Sequence, residues 1–208
     1  MTTIARQKSP WPTIQTKTRD GRRQRSNRSR RQIIEAMFEL NRRGNLSPTA
    51  VEVAEVAGVG LRTVFRHFED MDSIYEEMTE ELSAIVMPKI AAPFTAEDWR
   101  ERLLELIDRN GDLFELVFPH QVGLASRRHQ SEFLQRQFNR EINLIRKSLR
   151  KILPKHVSSD RTLFAAIELL PTFSTWRRLR EDQNLSVDNA KKTLKRILTA
   201  LLATIDDA

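Results

Sequence analysis

The sequence predicts an all-α protein with a small N-terminal helix-turn-helix domain and a larger C-terminal helical domain. Three observations carry this. Apolar residues recur at the three- and four-residue spacing of amphipathic helices along most of the chain. Val and Ile rarely alternate with polar neighbours, and no Asn-Gly type of turn joins two strand-like runs. Finally, residues 48–68, PTAVEVAEVAGVGLRTVFRHF, spell two short helices about a glycine-centred turn. At 208 residues and 39% hydrophobic content, the chain is long enough for one large domain or a small one plus a medium one.

Residues 1–27 contain Pro10, Pro12, Gly21 and many Ser and Thr but few apolar side chains, so a disordered arm is expected. The arm is basic. Arg6, Lys8, Lys17, Arg19, Arg22, Arg23, Arg25, Arg28, Arg30 and Arg31 face one acid, Asp20, within residues 1–31. The net charge of the whole chain is +7, so basicity belongs to this end. Trp11, between two prolines, has no assigned role.

A first helix over residues 30–43 has Ile33, Ile34, Met37, Phe38 and Leu40 at core spacing, with Ser29 or Asn27 as its cap and Gly44 ending it. Thr49 and Glu52 then form a capping box, after which Val53, Ala54, Val56 and Ala57 make an apolar stripe. Gly58 falls where the chain needs a positive φ, and Val59 plugs the turn. Residues 61–68 form the second short helix, anchored inward by Val64. Asp70 caps a fourth helix over residues 70–87, whose inner face is Met71, Ile74, Tyr75, Met78, Leu82, Ile85 and Val86. Pro88 and Pro93 mark the domain boundary, giving domains at residues 28–88 and 94–208.

In the second domain Thr95 and Asp98 read as another capping box, opening a helix over residues 96–109 that Gly111 breaks. A short apolar segment, residues 112–118, ends at Pro119. Three longer helices follow: residues 131–153, residues 159–180 with a kink at Pro171, and residues 186–205 capped by Ser186. Leu163, Ile167, Leu170, Phe173 and Trp176 on one of the last two, with Ala190, Leu194, Ile197, Leu198 and Leu201 on the other, exceed a narrow stripe. They can close the domain core, or they can pair with a second copy as a four-helix bundle.

A steep two-helix crossing of this kind places its second helix in the major groove of double-stranded DNA. Arg62, Thr63, Arg66 and His67 lie between the buried positions of that helix: Arg suits a guanine edge, Thr a base or phosphate, His a phosphate. Arg30 and Arg31 sit where the first helix could meet a phosphate. The basic arm can track phosphates or reach the minor groove.

Residues 53–78, VAEVAGVGLRTVFRHFEDMDSIYEEM, together with RQIIEAMFELNRRG at residues 31–44, resemble the DNA-binding domain of the TetR/AcrR family of transcriptional regulators. The likeness runs in detail over residues 29–87 and beyond that only in length and helix pattern. Gly60 stands where the family usually has a capping Ser, Phe65 where Tyr is commoner, and Met71 where Lys is common. The resemblance implies a homodimeric, ligand-responsive repressor on a palindromic operator, with DNA contacts from Arg30, Arg31, Thr49, Gly60, Leu61, Arg62, Thr63, Phe65, Arg66 and His67. It also implies a dimer face from the last two helices (Leu163, Ile167, Leu170, Trp176, Leu194, Ile197, Leu198, Leu201). An apolar effector pocket is expected from Trp99, Phe114, Phe118, His120, Phe138, Phe164, Glu168 and Phe173, with Gln121 and Arg127 as further polar candidates. The effector itself is unspecified.

Nothing in the chain suggests an enzyme. There is no cysteine, no close histidine pair for a metal, and no phosphate loop or nucleophile elbow, so neither cofactor nor metal is expected. No apolar run approaches a membrane span and the N-terminus lacks a secretion signal, which predicts a cytoplasmic protein. A rival reading is a helical protein-interaction adaptor with only non-specific DNA affinity.

Overall fold

The structure, a computed structural model, describes residues 21–205. The expectations for residues 1–20, including the arm and Trp11, lie outside the described residues. Ten α-helices follow in order: α1 (Gly21–Arg42), α2 (Ala50–Ala57), α3 (Leu61–His67), α4 (Met71–Ala91), α5 (Trp99–Arg127), α6 (Glu132–Ile152), α7 (Lys155–Ser159), α8 (Arg161–Leu169), α9 (Phe173–Arg177) and α10 (Val187–Leu202). A π-helical turn, Arg178–Asp182, extends α9. The described residues contain no strand, and none of their helices is long and apolar enough to cross a membrane.

Two hydrophobic cores divide the chain. The first joins α1–α4 around Ile33, Ile34, Met37, Val53, Val64, Phe68, Tyr75 and Met78, and is completed by Val117 and Leu124 of α5 and Leu134 of α6. The second gathers Leu103 and Ile107 of α5 with Leu149, Ile167, Trp176, Leu194 and Leu198. Helix α5 therefore belongs to both.

Several helix boundaries differ from the sequence reading. Helix α1 starts at Gly21, so residues 21–27 of the expected arm are helical. Ser29 is an interior residue whose hydroxyl donates back to the Arg25 carbonyl at 3.1 Å, and neither it nor Asn27 is a cap. Pro88 lies inside α4, near its exposed last turn where water can satisfy the carbonyl that proline leaves unbonded. Asp98 caps α5 by itself, accepting from the Arg100 and Glu101 N–H groups. Thr95 instead donates through its N–H and hydroxyl to Glu105. The expected helix over residues 159–180 is divided: Asp160 caps α8, and Thr172 caps α9 just after Pro171.

The largest correction concerns Gly111 and Pro119, which do not break α5. Both are interior to one continuous 29-residue helix. Buried neighbours on both sides of Pro119, Val117 and Val122, hold the helix on course against the proline penalty. Gly111 is a crossing point: a Cβ there would lie 2.9 Å from Lys191 Cε and 2.9 Å from Trp176 Cη2. Trp176 is fully buried, and its Nε1 donates to Glu115 Oε1 at 2.9 Å, so the ring has nowhere to retreat. Lys191 and Lys195 of α10 reach over the same crossing to Asp112, at 2.6 Å, and Asp108.

Gly111→Ala is accordingly expected to lower stability by ~1–3 kcal/mol through overpacking, although alanine gains ~1 kcal/mol in helix propensity. Thermal melts of the two proteins check this, and a higher Tm in the variant would show that the Trp176 contact yields.

Candidate nucleic-acid interface and inter-helical cleft

Local chemistry fixes the helix-turn-helix. The Thr49 N–H and hydroxyl donate to Glu52 Oε2 at 2.7 and 2.8 Å, and the Glu52 N–H returns to Thr49 Oγ1 at 3.3 Å. The Thr49 backbone donor, followed by its hydroxyl, holds the Glu52 carboxyl below the usual range. Thr49 is thus occupied in capping α2. Gly58 turns the chain at φ 65°, a left-handed conformation favoured by glycine, and the Val59 N–H closes the turn on the Ala54 carbonyl at 3.0 Å. Gly60 opens α3 with no side-chain cap. Of the α2 stripe, Val53, Ala54 and Ala57 are buried but Val56 is exposed.

Helix α3 buries Val64, with Phe68 immediately after it, and presents Leu61 (40% exposed), Arg62, Phe65 (52% exposed) and Arg66 outward. Arg62 and Arg66 carry no hydrogen bond or ion pair within the described residues, so both guanidinium groups are available. Thr63 and His67 are half-buried. His67 Nε2 is enclosed without a partner, and burial, then the Arg66 and Arg30 charges, push its pKa down. The imidazole is therefore held toward its neutral form, which keeps one ring N–H as a donor. Arg31 pairs with Glu35 one turn on, at 2.9 Å.

Arg30 differs most from expectation. Its Nη1 donates to the His67 carbonyl at 3.0 Å, its Nε and Nη2 grip Glu77 of α4, and its guanidinium stacks 4.6 Å over the Phe68 ring. It fastens the end of α3 to α1 and α4, so the guanidinium is already engaged within the chain. Glu77 is one of several acids between residues 69 and 81, and no spacing rule in the sequence links it to Arg30.

The helix-turn-helix is tied to the larger domain at the α5–α6 corner. Ser131, the α6 cap, donates through its hydroxyl to Asp72 Oδ2 in the first turn of α4 at 2.5 Å. Ser126 donates to the Leu46 carbonyl at 3.3 Å, and Arg127 Nη1 donates to Ser47 Oγ at 2.9 Å while its guanidinium lies over Tyr75. His120, expected in the pocket, is buried at this junction beside Phe38, with ring centroids 5.9 Å apart and neither ring nitrogen partnered. Burial lowers its pKa to about 3.

A cleft of about 450 Å³ opens between α5, α6 and the α8–α9 corner. Phe138, Glu168, Phe173 and Gln121, four of the residues named above as pocket candidates, line it. Phe114 and Phe118 pack behind it, with ring centroids 5.6 and 5.4 Å from Phe173. Trp99 and Phe164 belong to the second core, and Arg127 to the junction. Of the α6 wall, sequence reasoning named Phe138 and missed Ile142, Ile145 and Glu141. The apolar stripe of α6 reads as uniform core, yet only Leu134, Leu149 and Ile152 are buried, and the half-buried centre (Phe138, Ile142, Ile145) faces the cleft.

The expected dimer face is also corrected. Ile167, Leu170, Trp176, Leu194 and Leu198 are buried in the chain's own second core, and Leu163 and Leu201 pack against it. The broad apolar width of these helices is used up inside that core, α10 against α5 and α8 against α6. Of the residues expected there, Ile197 (47% exposed) remains on the surface, and Leu169 (64% exposed) is apolar surface on α8.

A small helix-turn-helix unit fused through a shared helix to a larger helical domain defines the fold class. A transcriptional regulator from Rhodococcus sp. RHA1 has this fold: it superposes with a TM-score of 0.67 over 86% of this chain and 99% of its own, at 17% identity. A TetR-like transcriptional regulator from the same organism superposes at 0.60 over 85% of this chain and 97% of its own, at 13% identity. The chain thus shares the TetR-like fold. No protein-family model and no curated protein sequence matches it.

The buried His120 makes a pH prediction. The folded-state pKa of about 3 lies below the unfolded value of 6.5, so the unfolded chain binds the proton first as pH falls. Stability held by neutral His120 is complete above pH ~6.5 and declines toward pH ~3. His120→Leu should therefore gain about 2 kcal/mol on the native protein between pH 7 and pH 5, read from urea melts. Parallel pH profiles would contradict the buried, unpartnered imidazole.

Proposed function

We propose that the protein is a ligand-responsive, DNA-binding transcriptional regulator, acting as a homodimeric repressor on a palindromic operator. The observation that carries this reading is the exposed face of α3: Leu61, Arg62, Phe65 and Arg66 project from a helix that Val64, Phe68 and the Arg30 clamp hold rigidly. Two unpaired guanidinium groups one turn apart suit guanine edges or phosphates in a major groove, and Leu61 and Phe65 suit thymine methyl groups. A second copy would present the same face to the other half-site, packing through outward residues such as Leu169 and Ile197.

The cleft supplies the response. Its α6 wall begins at Ser131, whose hydroxyl is bonded to Asp72, the second residue of α4 and four residues after the Phe68 cap of α3. An occupant that shifts α6 against α5 moves the start of α4, and with it α3. Coupling of ~1–3 kcal/mol is typical of such linkage and changes operator affinity about 5- to 150-fold. The exposed Val51, Val56, Leu61 and Phe65 favour one rival, an adaptor whose helix-turn-helix grips an apolar protein surface.

Binding of the full chain to duplex DNA from upstream of its own gene, against a scrambled duplex at physiological salt, separates the two. The regulator reading predicts ~10³-fold discrimination or more, and a loss of ~1–3 kcal/mol for Arg62→Ala or Arg66→Ala with the fold intact. Unchanged duplex binding in both variants would favour the adaptor.

A further inference from the structure

Besides the N-terminal end, the larger domain carries a basic surface of its own. Helix α6 has six Arg and Lys against two Glu. Arg136, Arg140, Arg146, Lys147, Arg150 and Lys151 are all exposed, and their helical spacing puts them on one side. Between Arg136 and Lys151 the remaining exposed side chains are Asn139 and Asn143. The opposite side is spent within the chain: Leu134, Leu149 and Ile152 are buried, and Phe138, Ile142 and Ile145 face the cleft.

The acids of α6 do not balance this face. Glu132, in the first turn, pairs with Arg136 at 3.3 Å, and Glu141 turns into the cleft and accepts from Gln121 at 2.8 Å. Glu168 of α8 answers Arg146 at 2.9 Å, and Arg150 lies 5.2 Å over the Phe164 ring. Arg140, Lys147 and Lys151 carry no hydrogen bond, ion pair or ring contact among the described residues. A helix face that is merely solvated tends to alternate its signs along the axis. From Arg136 onward this one has a single sign.

We propose that the outer face of α6 is a second nucleic-acid surface, holding the phosphate backbone of a duplex segment other than the one facing α3. From Arg136 to Lys151 the stripe runs ~22 Å at the helical rise, the length of about six base pairs. Arg, Lys and Asn side chains donate to phosphate oxygens, and an unbroken run of one sign matches a strand of regularly spaced phosphates. An anionic membrane fits less well, because a helix lying on lipid turns its apolar face outward and that of α6 is turned in. The stripe starts beside the helix-turn-helix, where Ser131 meets Asp72, and ends where Leu149 and Ile152 enter the second core. It therefore leads away from α3, toward a separate segment. The surface does not depend on α3 reading a sequence.

The full chain is loaded on a bead-tethered duplex from upstream of its own gene, and capture of a second, labelled, scrambled duplex is titrated across a salt series. The parent should capture it. A variant with Arg140→Gln, Lys147→Gln and Lys151→Gln should load equally and melt at the same temperature, but capture the second duplex about tenfold or more weakly. Its slope of log affinity against log salt should be shallower by about 2–3, at ~0.9 per lost phosphate contact. Arg140→Lys with Lys147→Arg and Lys151→Arg, which keeps the charges, should behave as the parent.

No capture by the parent, or equal capture by the Gln variant, would overturn the proposal. So would a variant that captures duplex normally but no longer adsorbs to phosphatidylglycerol vesicles, since the surface would then serve a membrane. If a tethered scrambled duplex loads as well as the upstream one while capture still needs Arg140, Lys147 and Lys151, the α6 surface stands and the sequence-reading regulator fails.

Discussion

Helix α5 serves two hydrophobic cores at once, and the architecture depends on that sharing. Its first half packs Leu103, Leu106 and Ile107 against α8–α10, while Val117 and Leu124 in its second half complete the core of the helix-turn-helix. A continuous helix transmits displacement along its axis, because bending it sharply breaks backbone hydrogen bonds. Gly111 is what allows Trp176 and α10 to close on one end, and the Ser126, Arg127 and Ser131 contacts pin the other. The two domains are therefore mechanically one body at the α5–α6 corner. That corner is where a cleft occupant would be felt.

The recognition-type helix α3 has seven residues, too few to be stable alone. Its geometry is borrowed: Val64 and Phe68 anchor it below, Gly58 sets its direction, and Arg30 ties its end to Glu77. Arg30 is exposed enough that the ion pair by itself is worth little, but one guanidinium serving a carbonyl, a carboxylate and a ring fixes an angle. Position, more than stability, is what it contributes.

Features governed by local chemistry were legible in the sequence. The Thr49–Glu52 capping box, the left-handed Gly58, the uncapped Gly60 and the caps Asp70 and Ser186 depend on residues within a few positions of one another. Features governed by tertiary packing were not. Gly111 and Pro119 carry the signature of helix breakers, and only the partners across the crossing show why the helix continues. The wide apolar face of α8 and α10 looked like a subunit interface because the sequence does not say that the chain's own second core buries it. For the same reason Arg30 looked free: its partner is 47 residues away. The cleft was half legible, since aromatic residues announce an apolar space but not which of them face it.

Selection of duplexes from a random library by the full chain at physiological salt, followed by sequencing of the bound pool, tests the central claim most directly. The account predicts enrichment of one sequence built from two inverted half-sites, matching two copies of α3 related by a dyad. A pool that stays as random as the input, at binding that falls steeply with salt, would leave only non-specific phosphate contacts and contradict it.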